Sequence, residues 1–101
     1  ESPDRLRQIP EVLQFIRDMN TAGKVIASVC HGPWVLISAG IVKGKKMTCY
    51  VGCKDDLINA GADYQNVSVV SDGNLVTAPH FRDNAAWLKE TLRVYYAINK
   101  Q

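Results

Sequence analysis

The stretch Val25-Ile26-Ala27-Ser28-Val29-Cys30-His31-Gly32-Pro33-Trp34-Val35-Leu36-Ile37-Ser38-Ala39-Gly40 decides the fold. Residues 25–29 form a short, nearly continuous apolar run without alternation, which reads as a parallel strand covered on both faces. Cys30-His31-Gly32 follows at once, and Pro33 suits the first position of a helix. From Trp34 to Ala39 the chain is apolar on every side and stops at Gly40, so a buried helix is expected. A strand, a sharp turn and a helix in immediate succession lift the residue at the turn above the carboxyl end of the strand, and that residue is Cys30.

Upstream, Ser2-Pro3 can cap a first short turn, and Pro10 with Glu11 favours the start of a helix. Ile9, Val12, Leu13, Ile16 and Met19 keep helical spacing and Gly23 suits a left-handed stop, which predicts a helix over roughly Pro10 to Ala22. A helix feeding a buried parallel strand implies an α/β layer. Downstream, Lys46 to Tyr50 reads as a strand, and Lys54-Asp55-Asp56 as the cap of a short helix, Leu57 to Ala60, ended by Gly61. Residues 67–71 and 75–77 flank Asp72-Gly73-Asn74, a turn sequence that suits an antiparallel hairpin near a sheet edge. From about Asp83 to Asn99, the residues Trp87, Thr91, Val94, Tyr95 and Ile98 mark one face of a last helix, with Leu88 and Leu92 beside it.

The strand at 25–29 wants neighbours on both edges and helices on both faces, yet no segment ahead of the first helix supplies another strand. The chain therefore reads as the back half of a doubly wound domain. Its 101 residues suffice for one small domain and exclude a multidomain enzyme, and 47% hydrophobic with 22% charged residues excludes a disordered chain. Twelve basic and ten acidic residues are mixed along the chain, and the one basic cluster, Lys43, Lys45 and Lys46, reads as a solvated turn. That pattern gives no footprint for nucleic acid. No apolar run approaches the ~20 residues that cross a bilayer, and Glu1-Ser2-Pro3-Asp4 is no signal segment, so a cytoplasmic location without membrane attachment is expected. Three cysteines, Cys30, Cys49 and Cys53, cannot all pair with one another, so at least one thiol is free.

The chemistry concentrates at the turn. The Cys30 sulfur is expected near the unpaired amides of the helix that begins at Pro33, where the positive end of the dipole favours a thiolate. The His31 amide, just after the nucleophile, stands in the position of an oxyanion donor, a feature typically worth about 3 kcal/mol of barrier. The His31 ring supplies a base and acid for proton transfer, and Gly32 completes the elbow. The competing reading is a small buried cysteine beside a satisfied histidine. Strand, histidine, Gly-Pro and apolar helix in one register favour the functional reading.

Residues 27–40 resemble the nucleophile segment of the PfpI-like intracellular proteases of the ThiJ/PfpI superfamily. Residues 54–62, Lys-Asp-Asp-Leu-Ile-Asn-Ala-Gly-Ala, and residues 72–77, Asp-Gly-Asn-Leu-Val-Thr, resemble two further blocks of that family. The resemblance covers almost the whole chain. It implies the C-terminal half of a flavodoxin-like doubly wound α/β sandwich, with Cys30 as nucleophile, His31 as its histidine, no cofactor, and assembly as a homodimer or larger ring. It also implies a small carbonyl or peptide substrate, since members are described as cysteine peptidases, glyoxalase III or deglycase-type enzymes, and stress proteins. The family's N-terminal strands, its Gly-Gly loop with the second oxyanion amide, and its acidic residue beside the cysteine have no counterpart in residues 1–101. A companion polypeptide carrying that half is therefore expected. Ala78-Pro79-His80-Phe81-Arg82-Asp83 also departs from the Arg-x-Pro-x-Asp run of the family.

Other arrangements carry less. Cys49 and Cys53, four apart, lack the second close pair of a structural zinc site, so no metal is expected. His80 could pair with Cys30 in the manner of class I glutamine amidotransferases, but Arg82 stands where that pattern needs an acid. Trp34, Trp87, Tyr95 and Tyr96 read as core or subunit contacts, and Asp55 and Asp56 as helix caps. Two functions remain: a cysteine-dependent enzyme acting on a carbonyl, and a redox-sensing or chaperone-like protein whose Cys30 oxidises. An adjacent His31 favours the enzyme, because a sensor needs no proton shuttle.

Overall fold

Prolines open the first helices of the structure, a computed structural model that describes residues 2–99; Glu1, Lys100 and Gln101 lie outside the described residues. Helix α1 (Pro3–Leu6) is capped by Ser2, whose hydroxyl accepts from the Arg5 amide at 3.3 Å. Helix α2 (Pro10–Thr21) follows, close to its expected span, and its Ile16 packs against the core while Phe15 faces out. Strand β1 (Ile26–Val29) leads through Cys30 into α3 (Pro33–Ala39), which ends on Gly40 at φ 78°. Pro33, Val35, Leu36 and Ala39 are buried and Trp34, Ile37 and Ser38 half-buried, so α3 is covered on every side, as its composition requires.

Beyond α3 the expected strand over residues 46–50 is shorter. Only β2 (Lys46–Met47) joins a ladder, pairing in parallel with β3 (Asp63–Tyr64), a strand too short to leave a sequence signal. Thr48 and Cys49, which follow, are fully buried, but this stretch finds other partners. The Thr48 amide donates to Thr77 Oγ1 at 3.0 Å and the Tyr50 amide to the Cys30 carbonyl at 2.9 Å. A 3-10 turn, Val51–Cys53, then leads into α4 (Lys54–Asn59). Asp55 and Asp56 lie inside the first turn of α4, not at its cap. The cap position is Cys53 and makes no side-chain bond, so the two carboxylates favour the helix through its dipole alone.

The hairpin is present with shifted bounds: β4 (Val70–Asp72) and β5 (Leu75–Ala78) pair antiparallel from Asp72↔Leu75, which leaves Gly73 and Asn74 as a two-residue turn. Gly73 has φ 60°, the conformation a hairpin turn of this length demands at its first central position. The edge expectation holds for β4 only. The sheet order is β1-β5-β4, so β5 is central, its four residues all buried, and it pairs in parallel with β1 from Ile26↔Leu75 to Val29↔Ala78. Three of the four β1 residues are only half-buried, and β1 pairs along one edge.

After a second 3-10 turn, Phe81–Asp83, helix α5 (Asn84–Asn99) packs on β5. Val94 is its buried residue, with Trp87, Thr91 and Ile98 half-buried. Tyr95, expected on that face, is 48% exposed and stacks edge-on with Tyr96. The core lies between the sheet, α3 and α4 and is built from Leu36, Val42, Met47, Cys49, Cys53, Leu57, Ala62 and Leu75. Among the described residues no helix is long and apolar enough to cross a membrane.

Candidate active site

Cys30 is the one non-glycine residue among those described with positive φ, at 59°. A side chain in this left-handed region costs on the order of 1–2 kcal/mol, and the surroundings enforce it. The Cys30 amide still bonds the Ala78 carbonyl of β5 at 3.1 Å, and its own carbonyl accepts from Tyr50. The Gly32 amide turns back onto the Val29 carbonyl at 2.9 Å. These three bonds bend the chain by one residue between β1 and α3 and leave the half-buried Cys30 side chain at the bend.

The turn also frees one donor. The His31 carbonyl accepts from the Trp34 amide, but the His31 N–H donates to no other group among the described residues. It is therefore an uncommitted donor on the residue directly after Cys30. Gly32, by contrast, has its amide engaged, and its contribution is space: a β-carbon there would meet Ser28 Oγ.

The His31 ring forms no hydrogen bond among the described residues and is held by rings on two sides. Trp34 stands edge-on at 5.0 Å between centroids, and Tyr50 lies at 4.9 Å, inclined by 32°. Neither neighbour is legible from sequence spacing; both follow from the Tyr50 amide reaching the Cys30 carbonyl and from Trp34 beginning the first turn of α3. His80 meets the Tyr50 ring at 6.4 Å and the Phe81 ring at 4.4 Å, and makes no hydrogen bond or ring contact with Cys30 or His31. Its Nδ1 instead accepts from the backbone and Nε of Arg82, each at 3.3 Å.

The other two thiols differ in kind. Burial pushes Cys49 up to about 12, with the nearby Cys53 and Asp56 adding to the effect. Burial likewise pushes Cys53 to about 11, helped by Asp56 and Cys30 and opposed by Arg7. Both stay protonated near neutral pH and pack as small apolar groups. Among the described residues no cluster of three or more His, Cys, Asp or Glu side chains is arranged to hold a metal ion.

Comparison with known proteins fits this geometry. The family model described as the DJ-1/PfpI family matches residues 1–94. The chain belongs to the DJ-1/PfpI family. Within it, the chain is 44% identical over 93 residues to a protein of Pyrococcus furiosus named Deglycase PfpI, a match covering 92% of this chain and 56% of the relative. It is 39% identical over 94 residues to protein/nucleic acid deglycase 2 of Escherichia coli, covering 92% of this chain and 55% of that one. Among solved structures, a two-domain protein of Anabaena variabilis with DJ-1/ThiJ/PfpI-like and ferritin-like domains superposes with a TM-score of 0.89. Its identity is 38%, over 91% of this chain and 26% of that protein. The α/β architecture of the family is thus this chain's own, as a partial flavodoxin-like fold, and the chain spans about half the length of the curated relatives it matches.

Proposed function

We propose that this chain carries the nucleophile half of a cysteine-dependent enzyme that attacks a carbonyl carbon, of glyoxalase III or deglycase type. The observation that supports it best is Cys30 held at positive φ directly before an uncommitted His31 amide. The names of the relatives point the same way, two of them being deglycases.

With a 2-oxoaldehyde, the Cys30 thiolate adds to the aldehyde carbon and gives a hemithioacetal whose oxyanion accepts a hydrogen bond from the His31 N–H. The His31 ring takes the proton from that carbon and returns one to the adjacent carbonyl carbon, giving a thioester of a 2-hydroxy acid. Water cleaves the thioester, releasing the 2-hydroxy acid and the free thiol. With a peptide amide, the thiolate gives a thioester directly and His31 protonates the leaving amine. A companion segment carrying the first strands and the second oxyanion amide completes the domain. The whole works as a homodimer or larger ring in the cytoplasm, a reducing compartment that keeps three thiols free.

Methylglyoxal loss with D-lactate formation, measured on the complete protein beside hydrolysis of a fluorogenic peptide amide, tests the reading. Cys30→Ser should abolish turnover, and His31→Ala should lose about 10²- to 10⁴-fold, the range of general acid-base catalysis. Full activity in His31→Ala would remove the proton shuttle. A wild type inactive on both substrates, with Cys30 still oxidising selectively under mild peroxide, would put a redox sensor in place of the enzyme.

A further inference from the structure

A histidine that shuttles protons must be held in one orientation, and the usual device is a carboxylate that accepts a hydrogen bond from the far ring N–H. Among the described residues no such bond reaches His31, while Trp34 touches the ring and is itself restrained from three directions. Its indole N–H donates to Asp56 Oδ2 of α4 at 3.0 Å. The Arg7 guanidinium, just after α1, lies 5.6 Å from the indole centroid and is anchored in turn by its Nε on Ser38 Oγ at 2.8 Å. The backbone of Trp34 is fixed by its bond to the His31 carbonyl at 3.0 Å. An indole N–H finds an acceptor in most settings. What distinguishes Trp34 is that its acceptor, its cation and its backbone bond come from α4, from the residue after α1 and from the Cys30 turn, so the ring that meets His31 is tied to three separate parts of the fold.

We propose that Trp34 is a positioning residue for His31, clamping the imidazole against Tyr50 so that its reactive nitrogen stays aimed at the carbon attached to Cys30. The inference rests on the function proposed above. Asp56 and Arg7 fix the indole, the indole fixes one side of the imidazole, and Tyr50, tied to the Cys30 carbonyl, fixes the other. An imidazole free to turn about its bond to Cβ would present the wrong atom to the substrate for part of the time. That lowers the rate of proton transfer and leaves substrate binding alone.

The test uses the complete protein with methylglyoxal as probe. Trp34→Leu should lower kcat about tenfold with KM unchanged, because the loss falls on a step after binding. Trp34→Phe keeps a flat ring against His31 and should recover most of that loss. Asp56→Leu, which frees the indole, should lower kcat in the same direction as Trp34→Leu. A kcat unchanged in Trp34→Leu, a Trp34→Phe variant as slow as Trp34→Leu, or a rise in KM at constant kcat would each overturn the proposal. A second readout needs no turnover: the nuclear Overhauser signal between the His31 and Tyr50 rings should weaken in Trp34→Leu and persist in Trp34→Phe. A signal at full strength in Trp34→Leu overturns the positioning role whether or not the wild type is active. A signal that vanishes in Trp34→Leu, in a protein without turnover, overturns the enzymatic reading and leaves the positioning intact.

Discussion

A β-carbon built on Gly32 would lie 2.2 Å from Ser28 Oγ, nearer than non-bonded atoms approach, and 3.1 Å from the Val29 carbonyl oxygen, a tight contact that a small shift relieves. The backbone angle at Gly32 is ordinary, φ −49°, so what the position demands is space rather than freedom. Ser28 Oγ is itself buried without a hydrogen-bond partner among the described residues, which makes it a group the fold can spare. Gly32→Ala should therefore destabilise the protein by about 1–3 kcal/mol through overpacking. Ser28→Ala alone should cost little, and the double variant should regain most of the loss. Thermal melts of the three variants check this, and a double variant no better than Gly32→Ala would show that the clash is with the backbone of Val29. At this scale the sequence was legible where chemistry and geometry share a residue: Cys30, His31 and Gly32 stand out because a strand, a nucleophile and Gly-Pro adjoin. Trp34 and Asp56 stood out only as a core or subunit contact and as a helix cap, and Tyr50 only as the end of a strand, since their meeting at the site depends on side chains from separate elements.

Helix α5 is attached to the edge strand by one polar cluster. Ser71 Oγ of β4 donates to Glu90 Oε2 at 2.5 Å, and Arg93 donates to both Glu90 oxygens, at 2.8 and 2.6 Å. Arg93 and Ser71 together hold the Glu90 carboxyl down to about 2, against a small opposing effect of burial. A carboxylate lowered in the folded state stabilises fully above its ordinary range near 4.5, and that stabilisation drains away as the pH falls toward 2. Glu90 is a quarter exposed and Arg93 largely so, hence solvent screening keeps the gain near ~1 kcal/mol. Glu90→Gln should lower the melting temperature at pH 7, and the gap to wild type should close by about pH 2. A gap independent of pH would mean that shape rather than charge matters there. The helices themselves were readable from apolar spacing, proline and glycine. The misread stretches, residues 46–50 and the Tyr95 face, fail for related reasons: the partners of Thr48 and Tyr50 are a side chain and a strand-end carbonyl instead of a ladder, and Tyr95 lies at the margin of its helix's packed face.

At the scale of the whole molecule, a parallel strand with one free edge is the feature that asks for completion. Strand β1 is as apolar as an interior strand, yet three of its four residues are half-buried and among the described residues it pairs with β5 alone, and on α5 the side chains of Leu88, Leu92, Tyr95 and Tyr96 face outward. Parallel strands are stable when covered on both faces and paired on both edges. The relatives run to nearly twice the matched length, which supports the proposal of a companion segment. Backbone donors alternate between the two edges of a strand, so the amides of Ile26 and Cys30, bonded to Asn74 and Ala78, face β5, and those of Ala27 and Val29 face the free edge. In the complete protein a strand laid along that edge would bond Ala27 and Val29. Their amide hydrogens should then exchange as slowly as those of Ile26 and Ser28. In the 101-residue chain by itself they should exchange far faster than Ile26 and Ser28, because none of the described residues accepts from them. Residue-resolved hydrogen exchange on both forms reads the difference directly. Fast exchange at Ala27 and Val29 in the complete protein would leave the β1 edge open in the native state and remove the argument for a companion strand.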